Sequence, residues 1–182
     1  MKNRPIKKET EIKLRVPGRS LEPLRKKLQV AGFRTTSERS LEINTLFDYP
    51  DHRIREAGSA LRLRDYRNRH ILTWKGPATS DQGLKIRDEA ETEIGNREEA
   101  LLILRNLGLE PVFEYSKYRE KFRLNDGKDP EVCIDETMAG MFIEIEGTRQ
   151  NIEELIGILG LSSFDSVRET YVELLREEDD PR

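Results

Sequence analysis

Residues 7–16, KKETEIKLRV, alternate in polarity with a period of two. Glu9, Glu11, Lys13 and Arg15 fall on one face of a strand, and Thr10, Ile12, Leu14 and Val16 on the other. An ordinary half-buried strand turns its charged face to water. The same pattern also suits a strand whose charged face points inward, into a polar tunnel, with the apolar face covered from outside. The rest of the chain bears on that choice.

The alternation recurs. In SALRLRD, Arg62 and Arg64 share a face opposite Leu61 and Leu63. In LKIRDEAETEI, Lys85, Arg87, Glu89, Glu91 and Glu93 lie on one side. Lys117, Arg119 and Lys121 align in YSKYREKF, and Glu144 and Glu146 align in FIEIEG opposite Ile143 and Ile145. Lys75 and Asp135 add one charge each to two further strands. One such strand reads as a solvated face. A set of them, with amphipathic helices available to cover the apolar sides, favours a closed sheet that gathers the charges around a central space. The signs also sort. The first and last strands carry Glu-x-Glu pairs, and the middle strands carry mainly Lys and Arg.

Composition agrees. Of 182 residues, 37% are charged and only 35% hydrophobic, which suits a fold that spends interior space on charge. The formal net charge of −3 excludes a whole-molecule field for polyanions, so an anion site must come from local clustering. The single cysteine, Cys133, forms no internal disulfide, and a reducing cytoplasm is expected. The start MKNRPIKKET has basic residues without an apolar segment after them, unlike a signal peptide. No apolar run is long enough to span a membrane. Two histidines, His52 and His70, argue against a His-rich zinc site or a His-based triad, and both are expected at the surface. The basic residues alternate along strand faces and form no exposed stripe with stacking aromatics, so no nucleic-acid partner is expected. Trp74 and Tyr66 read as packing residues.

Along the chain, a strand over 8–16 precedes a helix in GRSLEPLRKKLQVAGF, with Ser20 as N-cap and Gly32 as stop. SLEINTLFDYP is a second strand, and DHRIREAG a loop or short helical turn. SALRLRDY and HILTWKG form a hairpin, followed by the strand LKIRDEAETEI. NREEALLILRNLG is a helix between Asn96 and Gly108. VFEYSKYREKFRL, VCIDET and MFIEIEG are strands, with NDGKDPE a turn. Two helices follow, RQNIEELIGILG and SVRETYVELLRE. The sum is an α+β fold, about eight strands in a mostly antiparallel sheet with helices packed outside. It forms a single domain over 1–182, with a core at 8–176 and a frayed tail at 177–182.

Glu-x-Glu pairs on neighbouring strands aim carboxylates at one point, and all-oxygen ligation suits a hard cation such as Mg²⁺ or Mn²⁺. Lys and Arg around an elongated cavity suit phosphate oxygens. Together they are equipment for phosphoryl or nucleotidyl transfer.

Glu9-Thr10-Glu11-Ile12-Lys13 matches the Glu-x-Glu-x-Lys signature of the CYTH superfamily, the triphosphate tunnel metalloenzymes. With ALRLR, LTWKGP, KIRDEAETEI, KYREKF, VCIDE and FIEIEG in order, the chain resembles class IV adenylyl cyclases and bacterial CYTH triphosphatases from about residue 8 to residue 176. The resemblance implies a closed eight-stranded antiparallel β-barrel, a tunnel that binds a triphosphate chain lengthwise with divalent metal. It implies Glu9, Glu11, Asp135, Glu144 and Glu146 as metal ligands. It implies Lys13, Arg62, Arg64, Lys75, Lys85, Arg87, Lys117 and Arg119 as the phosphate-holding set. Glu91, Glu93 and Lys121 have the parity to stand beside them. The second strand departs from the cyclase pattern Gln-x-Asp-x-Tyr-Phe-Asp: Glu42, Asn44 and Leu46 replace three positions, while Phe47-Asp48 is kept. The implied activity is conversion of ATP to cyclic AMP and pyrophosphate, or hydrolysis of inorganic or nucleoside triphosphate. A binding module without turnover is the third reading. The implied partner is a small-molecule triphosphate, and a homodimer is compatible with this pattern.

Overall fold

The computed structural model describes residues 6–18, 20–124, 127 and 130–179. The elements among them run β1 (Lys7–Arg15), α1 (Glu22–Val30), β2 (Arg34–Asp48), α2 (Arg53–Glu56), β3 (Ala60–Tyr66), β4 (Arg69–Lys75) and β5 (Thr79–Asp81). They continue with β6 (Leu84–Ile94), α3 (Arg97–Asn106), β7 (Glu110–Arg123), β8 (Glu131–Thr137), β9 (Gly140–Glu146), α4 (Arg149–Leu159) and α5 (Tyr171–Asp179).

The strands join in the order β1-β9-β8-β7-β2-β3-β4-β6-β5, and β1 also pairs with β6. That last pairing closes eight strands into a ring and leaves the three-residue β5 appended to β6. The fold is therefore α+β, a closed eight-stranded antiparallel β-barrel with helices, as the family resemblance implies. The chain packs as two compact units, Met1–Glu9 with Leu41–Thr79 and Ile86–Ser116, and Thr10–Ser40 with Ser80–Lys85 and Lys117–Arg182.

In the second of these units the register sorts the side chains. Ile12 stands opposite Ile145, which stands opposite Val132, and Leu14 stands opposite Ile143, which stands opposite Ile134. These apolar positions are covered by Leu24 and Leu28 of α1 and Ile152, Leu155 and Leu159 of α4, in one core with Phe33 and Phe122. Burial of such side chains is the main favourable term in folding. The opposite face of the same strands is charged, and the core lies on the helix side.

The first unit repeats the scheme. Leu61 and Leu63 of β3 stand opposite Phe47 and Thr45 of β2, and Leu63 stands opposite Leu72 of β4. Leu104 of α3 and Leu109 pack on Phe47 and Leu63. Asn96 caps α3, its side chain accepting from the N–H groups of Glu98 and Glu99. Asp48 ends β2 and accepts from the backbone N–H of Tyr49 at 2.8 Å and of Ile54 and Arg55 at 3.0 Å. The kept Phe47-Asp48 pair is thus a core residue and a loop cap.

Several boundaries differ from the sequence reading. β2 begins at Arg34 instead of Ser40, and β5 was not expected. The N-cap of α1 is Leu21, not Ser20; the Ser20 hydroxyl accepts from Glu22 N–H at 3.3 Å, one position early for a cap. The expected helix from Ser166 begins only at Tyr171. Before it, Ser166 bridges to Leu14 and Val167 N–H donates to Lys13 O at 2.9 Å, so this stretch is spent as an edge on β1. A capping box then starts the helix: Thr170 Oγ1 accepts from Glu173 N–H, and Glu173 accepts from Thr170 N–H. The predicted stops Gly32 and Gly108 both have left-handed φ, +87° and +84°. Asn125, Asp126, Lys128 and Asp129 of the NDGKDPE turn, and residues 180–182 of the expected tail, lie outside the described residues; the backbone of 177–179 continues α5.

Candidate functional site

Within Thr10–Ser40, Ser80–Lys85 and Lys117–Arg182, the charged face is ordered in rows across the strands. Glu11 stands opposite Glu146, which stands opposite Glu131. The next row is Lys13, Glu144, Cys133 and Lys121. The row after it is Arg15, Phe142, Asp135 and Arg119. Lys121, which has the matching parity but stands outside the family pattern, faces with the others. The two Glu-x-Glu pairs lie on paired strands, β1 and β9, as closure of the sheet requires. Glu131 was missed; its only signal was the two-residue spacing before Cys133 and Asp135.

Asp135 is fully buried and organises this face. It accepts from Lys117 Nζ at 2.9 Å, from Arg119 Nε at 2.6 Å and again from Arg119 through a second nitrogen, and from the Tyr171 hydroxyl at 2.6 Å. Arg119 also binds Glu144. Burial would raise the Glu144 pKa, but Arg119, Lys117 and Lys13 hold it well below the usual carboxylate range. Burial likewise opposes ionisation of Glu131, and Lys121 and Arg123, at 3.2 and 2.8 Å, reverse it. Lys85 lies 3.9 Å from Glu11. Cys133 shares this face, but burial pushes its thiol up to about 12, so it is no nucleophile. Burial, then Asp135 and Glu144, raises the Tyr171 pKa well above the usual phenol, which keeps its hydroxyl a donor.

In Met1–Glu9, Leu41–Thr79 and Ile86–Ser116 a second cluster forms around Glu9. Its carboxylate accepts from Lys75 Nζ at 2.8 and 2.9 Å and from Arg87 Nε at 2.8 Å. Burial favours the neutral acid, yet Lys75 and Arg87 together lower the Glu9 pKa to about 2. Lys75 also meets Glu89 at 2.7 Å. Arg64 lies 3.1 Å from Glu91 and 3.5 Å from Glu42. Thr73 Oγ1 donates to Glu91 at 3.0 Å. Arg62 shares this face, opposite Leu46 on one side and Thr73 on the other. Glu93 has the same parity but pairs with Arg69 at 2.7 Å at an exposed position.

The second strand, read only as a departure, contributes fully buried Glu42 and Asn44 to the charged face. Neither side-chain amide atom of Asn44 has a hydrogen-bond partner among the described residues. Tyr66 is buried on this same face, and Trp74 is on the other, one-third exposed. His52 is exposed, whereas His70 is only partly so and its Nδ1 meets Asp65 at 2.7 Å.

The donor chemistry fits a hard divalent cation. Glu11, Glu146 and Glu131 stand side by side, an arrangement that like-charge repulsion disfavours unless cations intervene. In this arrangement lysines and arginines fill that role. Among the described residues no three acidic, His or Cys side chains are gathered closely enough to cage a metal.

A closed antiparallel sheet with a carboxylate-and-cation face and apolar reverse is the architecture of the tunnel proteins named above. The chain belongs to the CYTH domain family, whose model matches residues 7–171. A candidate adenylate cyclase of Methanocaldococcus jannaschii is 29% identical over 177 residues, covering 91% of this chain and 97% of that protein. The solved structure of the PH1819 protein of Pyrococcus horikoshii is 27% identical with a TM-score of 0.74, covering 93% of this chain and 99% of that one. A candidate adenylyl cyclase from Hippeastrum, described as having a dominant triphosphatase activity, has a TM-score of 0.71 at 21% identity, covering 93% and 96%.

Proposed function

We propose that the charged face of the closed sheet binds a triphosphate chain with a divalent cation, Mg²⁺ or Mn²⁺, and that the chain turns this substrate over. The observation that carries the reading is the alternation of carboxylates and cations on one face, with Glu9, Glu11, Glu42 and Asp135 each buried and paired with Lys or Arg. A polyanion offers those cations the oxygens they now take from carboxylates, and a metal offers the carboxylates a replacement charge.

In this reading Lys75, Arg87, Arg64, Arg62 and Lys85 hold phosphate oxygens, as do Lys13, Lys117 and Arg119. Glu9, Glu11, Glu144 and Glu146 are assigned to the metal, with Asp135 orienting the cations. The metal, when bound, supplies positive charge to the phosphate oxygens as negative charge builds there. The residues of the chain bind and align the triphosphate and stabilise that charge.

We assign the reaction as cyclisation of ATP. The ribose 3′ oxygen attacks the α-phosphorus, its proton departs to solvent or base, and pyrophosphate leaves. The Methanocaldococcus relative supports this assignment by its name. Hydrolysis is the second reading, favoured by the activity described for the Hippeastrum protein. Water then attacks the terminal phosphorus, the bond from that phosphorus to the rest of the chain breaks, ADP or pyrophosphate leaves, and the attacked phosphoryl group is released as orthophosphate. Incubation with ATP or inorganic triphosphate and Mg²⁺ or Mn²⁺, with product separation, tests both. Cyclic AMP with pyrophosphate supports cyclisation, orthophosphate supports hydrolysis, and no product with either metal rules out turnover.

A further inference from the structure

Tyr171 is none of the residues given to metal or phosphate, yet it touches two phosphate-holding lysines and the aspartate that orients the cations. Its hydroxyl donates to Asp135 Oδ2 at 2.6 Å. Lys13 Nζ and Lys117 Nζ lie over its ring, 4.0 and 4.4 Å from the centroid. Phe142 fixes the plane of that ring from the side, at 5.5 Å and 75°. Tyr171 opens α5 just after the capping Thr170, and the stretch before it is pinned to β1. This places the Glu169 carbonyl 2.9 Å from Lys13 Nζ.

Two ways of holding a cation coexist on the charged face. Lys75 and Arg87 are held by the carboxylate of Glu9, which cancels much of their charge. Lys13 is held by a carbonyl oxygen and the face of a ring, and its contact with Glu144 is long at 3.8 Å. A carbonyl dipole and an aromatic quadrupole fix an ammonium in place without neutralising it. Its charge stays available to a guest. Lys117 combines the two, with Asp135 at 2.9 Å and the ring beside it.

We propose that Tyr171 is a positioning residue for triphosphate: through its ring and through Asp135 it holds Lys13 and Lys117 ready for phosphate oxygens. The C-terminal stretch from Ser166 to Tyr171 is then a working part of the anion site. This rests on the triphosphate reading above. Deletion of the ring loosens both lysines, and deletion of the hydroxyl alone loosens only the Asp135 side.

The test is calorimetric titration with a methylene-bridged inorganic triphosphate analogue and Mg²⁺, using the full chain. Tyr171→Phe keeps the ring and should bind more weakly than wild type. Tyr171→Leu loses ring and hydroxyl, and its affinity should fall by about ten-fold or more. Leu174→Ala, on the same helix and buried, controls for helix docking. It should lower the melting temperature while the folded protein keeps wild-type affinity. Any affinity order other than wild type, Phe, Leu overturns the proposal. So does a loss in Leu174→Ala equal to that in Tyr171→Leu. If Tyr171→Leu does not fold, the Phe variant decides alone: wild-type affinity overturns the proposal. A wild type that binds no analogue overturns the triphosphate reading itself, and this proposal with it.

Discussion

Glu9 shows how a carboxylate survives inside this protein. It is 6% exposed, so ionisation there is costly unless partners repay it. Lys75 and Arg87 do so, and bring its pKa to about 2 from an ordinary 4.5. The folded-state value is the lower one, so this pairing stabilises the fold above the unfolded pKa. The stability is lost as pH falls from about 4.5 through about 2, on the order of 3 kcal/mol in all. Glu9→Gln should flatten that acid limb in metal-free denaturant titrations run from pH 5 to pH 2; an unchanged limb means that Lys75 and Arg87 do not hold Glu9 in solution. Neighbouring residues on β3 divide the work differently. Leu63 is fully buried on the apolar side, so Leu63→Ala should cost about 2–5 kcal/mol of stability. Arg64→Ala should instead weaken triphosphate binding by about 1.5–3 kcal/mol. If calorimetry and unfolding give the two variants exchanged phenotypes, the face assignment is inverted. Parity alone separates these two residues, which is why the sequence could be read at this scale. It said less about Asp135 and Asn44, because a burial partner from another strand leaves no mark on the local pattern.

At the scale of elements, legibility followed how local the signals were. β1 and β3 are legible because charged and apolar residues alternate along them, from Glu11 to Arg15 and from Leu61 to Arg64, and α3 because Asn96 and Gly108 bracket it. β5 is three residues long, too short for any period to declare itself. The start of α5 was misplaced because SVRETYVELLRE has helical composition throughout, while Ser166 and Val167 pair with β1 over a long sequence separation. The Thr170-x-x-Glu173 box was the overlooked local cue. Its energetic weight can be measured. Thr170→Ala removes one half of the box and should cost about 1 kcal/mol. Asn96→Ala, which uncaps α3 through two N–H groups, should cost a similar amount, about 1 kcal/mol. Urea unfolding provides both values. Thr170→Ala differs in one respect: α5 carries Tyr171, so fraying its first turn should also weaken triphosphate binding, whereas Asn96→Ala should leave binding unchanged. Equal binding by both variants would mean that Tyr171 is held by its packing on Phe142 and not by the cap.

For the molecule as a whole, the ion pairs predict how its two guests cooperate. Lys75 and Arg87 pair with Glu9, and Arg119 with Asp135 and Glu144. A triphosphate arriving alone must take cations away from carboxylates and leave buried negative charge without a partner. A metal arriving alone must take carboxylates away from cations and leave buried positive charge. Each guest alone pays a penalty of the kind that follows when one member of a buried pair is removed. Together they exchange partners, with carboxylates passing to the metal and cations to phosphate, and no buried charge is stranded. Metal and triphosphate should therefore bind with positive coupling, each raising the affinity for the other, typically by about 5–150-fold for couplings of this kind. Thermal unfolding detects this without turnover, because a ligand bound only by the folded state raises the melting temperature according to its occupancy. Mg²⁺ alone and a methylene-bridged triphosphate alone should each give a small shift. The two together should give a shift larger than the sum, after correction for their complex in solution. The excess should shrink in Glu144→Gln, where one carboxylate can no longer pass from arginine to metal. Additive shifts in the wild type would mean that metal and phosphate do not draw on the same set of ion pairs, and that these buried pairs serve the fold and not a shared ligand site.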